Sequence, residues 1–306
     1  MPGFFNAHCH LELGFLRGAI PPSTPFVEWL GQIARRKRAA RPEDAQSAIA
    51  AGLFELRESG TQALLDIDSM RIAPDLIRAV EMPCLSFTEI IAFDPAEAVA
   101  RLNETVAWQN AQPALAAGQG FGLSPHAPYT TTPELLATAA QAAREAGQWL
   151  CIHAAETPEE TEMLLHGRGA LHDFLNDFGS LPQGWKHPGM RPVEYLAASG
   201  VLGPHTLLAH LNEVTDEEIA LLAKTQTRAV VCPGTHVYFG RGAFPLKRLL
   251  DAGVATYLGT DSLASNESLS MMREIDLACE LEPALEPRRV AALADAQRAR
   301  DFGLTP

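Results

Sequence analysis

A chain of 306 residues, 47% hydrophobic and 20% charged, has ample material for one large domain or two small ones. Its net charge of −13 sets it against nucleic acid as a partner, and no apolar run nears the ~18 residues of a membrane span. A basic leader with a cleavage site is also missing, so five scattered cysteines (Cys9, Cys84, Cys151, Cys232 and Cys279), odd in number and without a CxxC pair, read as reduced thiols of a cytoplasmic protein.

In chain order, eight short apolar runs read as strands: GFFNAH (3–8), QALLDID (62–68), CLSFTEIIAF (84–93), GFGLSP (120–125), WLCIHA (149–154), TLLAH (206–210), RAVVCP (228–233) and ATYLGTD (255–261). Helical patterns lie between and beyond them, at 26–41 with 44–59, then 95–117, 133–147, 159–177, 192–199, 216–225, 244–252 and 268–281. Thr132-Pro133-Glu134 offers an N-cap followed by proline at the first helical position, and Thr215-Asp216-Glu217-Glu218 matches a capping box. The Gly/Pro-rich stretch 180–192 reads as a long loop between the fifth and sixth strands. Strand–helix alternation implies a parallel sheet, and eight such units imply a (β/α)8 TIM barrel, here one domain over 1–306. A doubly wound open sheet is the alternative, but neither GxGxxG nor GxxxxGK[ST] occurs.

In such a barrel, catalytic groups sit at the C-terminal ends of strands. The first strand ends at His8 and His10, the fourth at His126, the fifth at His153, the sixth at His210 and the eighth at Asp261. Alternate strand residues point the same way, so His8 and His10 can face one interior point, with Cys9 turned away. His153 and Asp261 would converge there. Three imidazoles and a carboxylate, with room for a water, suit one catalytic zinc or ferrous ion. Glu156, three residues beyond His153, stands where a carboxylate can shuttle a proton from water to a leaving group. His210 is then the natural partner of the nucleophilic water.

The motifs NAHCHLE, GLSPHAPYT, IHAAET, LLAH and GTDSLASN together resemble, in order and spacing, the amidohydrolase superfamily, over residues 3 to about 303. The resemblance is to the branch holding cytosine deaminases, S-adenosylhomocysteine deaminases and chlorohydrolases. It implies one metal ion on His8, His10, His153 and Asp261, with Glu156 and His210 at the reacting water and Asp261 as a further proton acceptor. None of the four lysines (Lys37, Lys186, Lys224, Lys247) lies in a strand run, so the carboxylated lysine of binuclear branches is not expected. Relatives also carry an accessory β-sandwich built from both termini, and the expectation here is a barrel without it.

For substrate contacts the resemblance points to His126 in SPHAPY and to His236, which replaces a usual asparagine in VCPGTHVYFG. The segment FVEWLGQIARRKR is similar to aminodeoxyfutalosine deaminase-like members, so Arg38, or Arg35, is expected to meet a substrate carboxylate. The expected reaction is hydrolytic deamination of an aminated heteroaromatic, adenine-like small molecule. Alternatives are a chlorohydrolase or amine hydrolase acting on a triazine-like ring, and a non-catalytic metal-binding relative. A homodimer is left open.

Overall fold

A computed structural model describes residues 3–113, 115 and 118–306. Eight strands appear: β1 (Phe4–Cys9), β2 (Thr61–Asp68), β3 (Cys84–Ile90), β4 (Gln119–Pro125), β5 (Leu150–Ala154), β6 (Thr206–His210), β7 (Arg228–Val231) and β8 (Thr256–Leu258). They pair in sequence order and all in parallel. β8 returns to β1 through a single bridge, Cys9 to Asp261, where the Asp261 N–H donates to the His8 carbonyl at 3.0 Å. Asn6 reinforces this seam: its amide donates to Thr260 Oγ1 (2.8 Å) and accepts from the Thr260 N–H (3.2 Å). The result is a nearly closed (β/α)8 barrel with helices between the strands.

Strand residues divide between two layers, as a sheet buried on both faces requires. Phe5, Ala7, Leu65, Phe87, Cys151 and Tyr257 belong to an inner cluster that Phe302 and Leu304 plug from the chain's end. Leu64, Cys84, Leu123, Ile152, Leu208 and Leu258 pack outward on the surrounding helices. Cys9 joins the outer layer, whereas Phe5 and Ala7 are inner. A register shift between Asn6 and Cys9 reverses the alternation there, as a bulge does. That shift lets His8 and His10 share the inner side above Ala7.

Most expected helices form within a few residues of their expected bounds. Thr132 and Thr215 cap as read, accepting from the Leu135 and Glu218 N–H groups, and Glu218 returns the bond to Thr215. The expected single helix 159–177 is two, Pro158–His166 and Ala170–Asp177, because Gly167 (φ 65°) and Gly169 (φ 100°) take conformations that end one and begin the other. Of the expected helix 95–117, Pro95–Ala111 forms, and residues 114, 116 and 117 lie outside those described. Three short helices had no periodic signal long enough to reveal them: Ala73–Ala79, Pro233–Tyr238 and Pro287–Ala291. Among the described residues no helix is long and apolar enough to cross a membrane.

Candidate active site

His8, His10 and His153 bring ring nitrogens to within 4.8 Å of one another on the C-terminal side of the barrel. His10 Nε2 lies 3.1 Å from His153 Nε2, and His8 Nε2 and His10 Nε2 are each 3.8 Å from Asp261 Oδ1. His8 is fully buried, and its Nε2 has no hydrogen-bond partner among the described residues. A buried polar nitrogen left unpaired is costly unless something else satisfies it. His153 Nδ1 faces the His126 carbonyl at 2.9 Å, so Nδ1 carries the hydrogen and Nε2 presents its lone pair to the cluster. Burial first, then neighbouring imidazoles (His153 and His210 for His8, His8 and His153 for His10), pushes both well below the usual imidazole range. Neutral nitrogens are what metal ligation needs.

Asp261 is fixed from three directions. Its Oδ1 accepts from the Ser262 N–H (2.7 Å), and Oδ2 accepts from the Thr235 and Ser265 hydroxyls (3.0 and 3.1 Å). Burial, then nearby Glu156, raises its carboxyl to about 6. Asp261 and His210 both have positive φ (56° and 76°), uncommon for residues with a Cβ and a feature that concentrates at functional sites. His210 stacks on His153, centroids 5.4 Å apart, and its Nε2 is 3.8 Å from Glu156 Oε2. Glu156 is buried, and the other oxygen, Oε1, accepts from Arg241 Nη2 at 2.9 Å.

Above these groups opens a cavity of about 370 Å³. His10, His126, His153, Glu156, His210 and Asp261 line its polar end, and Phe26, Trp29, Phe93, Tyr129, Phe174 and Phe178 its apolar end. The helix Phe26–Ala39 lines one side of the cavity, tied down where Trp29 Nε1 donates to the Ala264 carbonyl (3.0 Å). An apolar pocket with a few convergent polar groups is the usual form of a small-molecule site.

Residues 1–304 match the amidohydrolase family. The chain belongs to that family. One relative of this amidohydrolase, a 5-methylthioadenosine/S-adenosylhomocysteine deaminase of Nitratidesulfovibrio vulgaris, is 32% identical over 90% of the chain and 58% of its own length. An aminodeoxyfutalosine deaminase of Deinococcus radiodurans is 29% identical over 96% of the chain and 71% of its own. The chain thus spans little more than half the length of the first of these relatives. Among solved structures, a zinc-bound adenosine deaminase of Xanthomonas campestris superposes with a TM-score of 0.81 at 25% identity, covering 99% of this chain and 67% of that one. The Helicobacter pylori aminofutalosine deaminase superposes with a TM-score of 0.85 at 21% identity, covering 99% and 74%, a likeness of fold.

The other expected contacts of this amidohydrolase divide. His126 lines the cavity, with Nδ1 2.7 Å from the Thr130 hydroxyl and Nε2 3.9 Å from Glu89 Oε1. Arg38 lies at the exposed rim with its guanidinium 4.9 Å from the centre of the Phe178 ring. His236 is not brought to the cavity: its Nδ1 meets Asn212 Oδ1 at 3.2 Å and its Nε2 meets the Gly242 carbonyl at 3.0 Å. Buried against these protein groups and away from the cavity lining, it does not stand where the expected substrate contact would need it.

Four charged residues escaped the sequence reading. Glu89, near the end of β3, and Lys37, on the helix Phe26–Ala39, line the cavity, and Lys37 Nζ lies 2.9 Å from Glu12 Oε1 and 4.0 Å from Glu89 Oε2. Burial alone would lower the Lys37 ammonium, but Glu12 and Glu89 outweigh it and hold it above the usual range. Arg241 is the fourth. Glu89's place near a strand end and Glu12's place at the end of NAHCHLE were usable signals; for Lys37 and Arg241 no local pattern existed. Glu89, His126 and His153 also cluster closely, but with His153 Nδ1 committed to a carbonyl they compete for the Nε2 of the first group.

Proposed function

We propose that this amidohydrolase hydrolytically deaminates an adenine-like ring in a nucleoside-type small molecule, using one divalent metal ion, zinc in preference to iron(II). The observation that carries the reading is the meeting of the His8–His10–His153 cluster with Glu156 and His210 at the floor of an aromatic-walled cavity. His8, His10, His153 and Asp261 would hold the ion; the orphaned His8 Nε2 and the purely nitrogen-and-oxygen donor set fit it. When bound, such an ion lowers the pKa of water enough to supply hydroxide near neutral pH.

The protein's own groups account for the remaining chemistry. Glu156 Oε2 takes one proton from the attacking water and delivers it to the ring nitrogen, and then passes the second, from the new hydroxyl, to the departing amine. The new C–O bond replaces the broken C–N bond, and ammonia leaves. His210, with Nε2 3.8 Å from that oxygen, and Asp261 keep the water in line. His126 hydrogen-bonds the ring. Trp29, Phe174 and Tyr129 exclude bulk water and pack on the substrate, and Arg38 at the rim meets an acidic substituent. The deaminase names of the relatives agree with this assignment. Five free cysteines, four of them buried, fit a reducing cytoplasm.

The test is a panel of metal-replete assays on adenosine, 5-methylthioadenosine, S-adenosylhomocysteine, aminodeoxyfutalosine and chlorinated triazines, reading ammonia and chloride. Ammonia from the adenine compounds supports the reading. Chloride alone, or no product from any compound, overturns it.

A further inference from the structure

Glu156 is held from behind by a side chain that the reaction above does not use. Arg241 follows the helix Pro233–Tyr238 and reaches 85 positions back along the chain to place Nη2 2.9 Å from Glu156 Oε1. Both side chains are only 9% exposed. The guanidinium lies 4.7 Å from the centre of the Phe239 ring, and the Arg241 N–H donates to the His236 carbonyl at 3.1 Å. His236 in turn contacts Asn212, whose Nδ2 donates to the Glu156 carbonyl at 3.1 Å. The segment 236–241 therefore reaches Glu156 by two routes, its side chain directly through Arg241 and its backbone through His236 and then Asn212, which follows β6.

We propose that Arg241 is the positioning residue for Glu156. A glutamate has three rotatable bonds, and its carboxylate can present either oxygen to the cavity. By occupying Oε1, Arg241 leaves Oε2 as the oxygen nearest His210, 3.8 Å away. A guanidinium suits this task better than an ammonium because its planar fork fixes direction as well as charge, and stacking on Phe239 fixes the fork. Arg241 does not line the cavity, so its effect on the reaction passes through Glu156. The inference rests on Glu156 being the proton shuttle, and its own content is that the Arg241–Glu156 pair sets the pose of that shuttle.

The experiment uses the metal-loaded protein and three substitutions, Arg241→Met, Arg241→Lys and Glu156→Gln. Misplacing a reacting group by about 1 Å costs on the order of 10²-fold in rate, so Arg241→Met should lower kcat by about that factor. KM should stay within about threefold. Arg241→Lys should fall between, and added guanidinium should restore part of the Arg241→Met activity. Unchanged kcat, or a loss confined to KM, overturns the proposal. Thermal unfolding gives a readout independent of turnover: the Tm loss of the double variant Glu156→Gln/Arg241→Met should be smaller than the two single losses added, since each single variant leaves one buried charge without its counter-charge and the double variant leaves neither. Strict additivity overturns the pairing. If Arg241→Met does not fold, Arg241→Lys carries both readouts. If the wild-type chain releases no ammonia from any adenine compound, the deaminase reading fails, while non-additive Tm losses would still uphold the pair.

Discussion

His10 and His153 bring their Nε2 atoms to 3.1 Å, while His153 donates its Nδ1–H to the His126 carbonyl at 2.9 Å. Two nitrogens each ~2.1 Å from one tetrahedral ion lie ~3.4 Å apart, so the spacing suits shared ligation. The carbonyl bond fixes the tautomer before any ion arrives. Replacing His10 or His153 with alanine should reduce bound metal at least tenfold, read by atomic emission. Chelation should lower the Tm of the wild-type chain by several degrees and zinc should restore it, because a ligand of the folded state alone stabilises it.

Glu156 and His210 face each other across 3.8 Å at the cavity floor. Glu156→Gln keeps the shape and can still accept from Arg241, but cannot carry the proton. Its kcat should fall by 10²–10⁴-fold, the usual weight of general acid–base catalysis. Nucleoside binding, measured by calorimetry, should remain within about fivefold of wild type.

Gly259 lies where β8 passes β1. A Cβ there would stand 2.7 Å from His8 Cβ and 2.8 and 2.9 Å from the His8 backbone nitrogen and oxygen. Backbone cannot give way as a flexible side chain can. Gly259→Ala should destabilise the fold by about 1–3 kcal/mol, the range for overpacking a filled core, and should also weaken metal binding by displacing His8. Denaturant melts and metal titration check both.

Trp29 ties the helix Phe26–Ala39 to the loop after β8 through its bond to the Ala264 carbonyl, and lines the cavity. Trp29→Ala should raise KM for nucleosides about tenfold or more, since an aromatic contact and the tether go together. The effect on kcat should be smaller, as Trp29 is remote from Glu156 Oε2 in role. Steady-state kinetics on the best substrate separate the two.

Glu160 lies beneath Glu156, its Oε2 accepting the Glu156 N–H at 2.8 Å while Oε1 is buried without a hydrogen-bond partner among the described residues. Burial raises its carboxyl to about 8, partly opposed by the backbone hydrogen bond. Between its ordinary value, ~4.3, and about 8, the folded chain keeps this proton and the unfolded chain does not. Stability from this group is therefore full below the ordinary value and falls as pH rises to about 8, at up to ~1.4 kcal/mol per pH unit. Glu160→Gln, shaped like the protonated form, should flatten that slope. Denaturant melts at pH 5, 6.5 and 8 measure it.

The barrel was legible because strand and helix signals are local. Runs such as LLAH and LCIHA carry their own burial pattern, and eight alternations leave few other architectures. Strand ends then put His8, His10, His153, His210 and Asp261 on one rim by rule, and the structure places them together there. Less legible was how each strand ends. The eighth run was expected to continue to Asp261 as strand, yet it stops at Leu258, and Asp261 turns to positive φ against its own serine and threonine partners.

By itself, the sequence determined the order of the elements and which chemistry-bearing residues close each strand, since both follow from patterns within about ten residues. The tertiary structure decided which way those residues point and what stands behind them. The shift between Asn6 and Cys9 turns His8 inward despite the inward Phe5 and Ala7, because a parallel partner strand, not the chain's own alternation, sets register. His236, expected from its motif at the substrate, is instead buried against Asn212 and Gly242. Arg241, unremarkable in its own segment, meets Glu156 only when the barrel closes and buries both charges, where an unpaired ion would be too costly to keep.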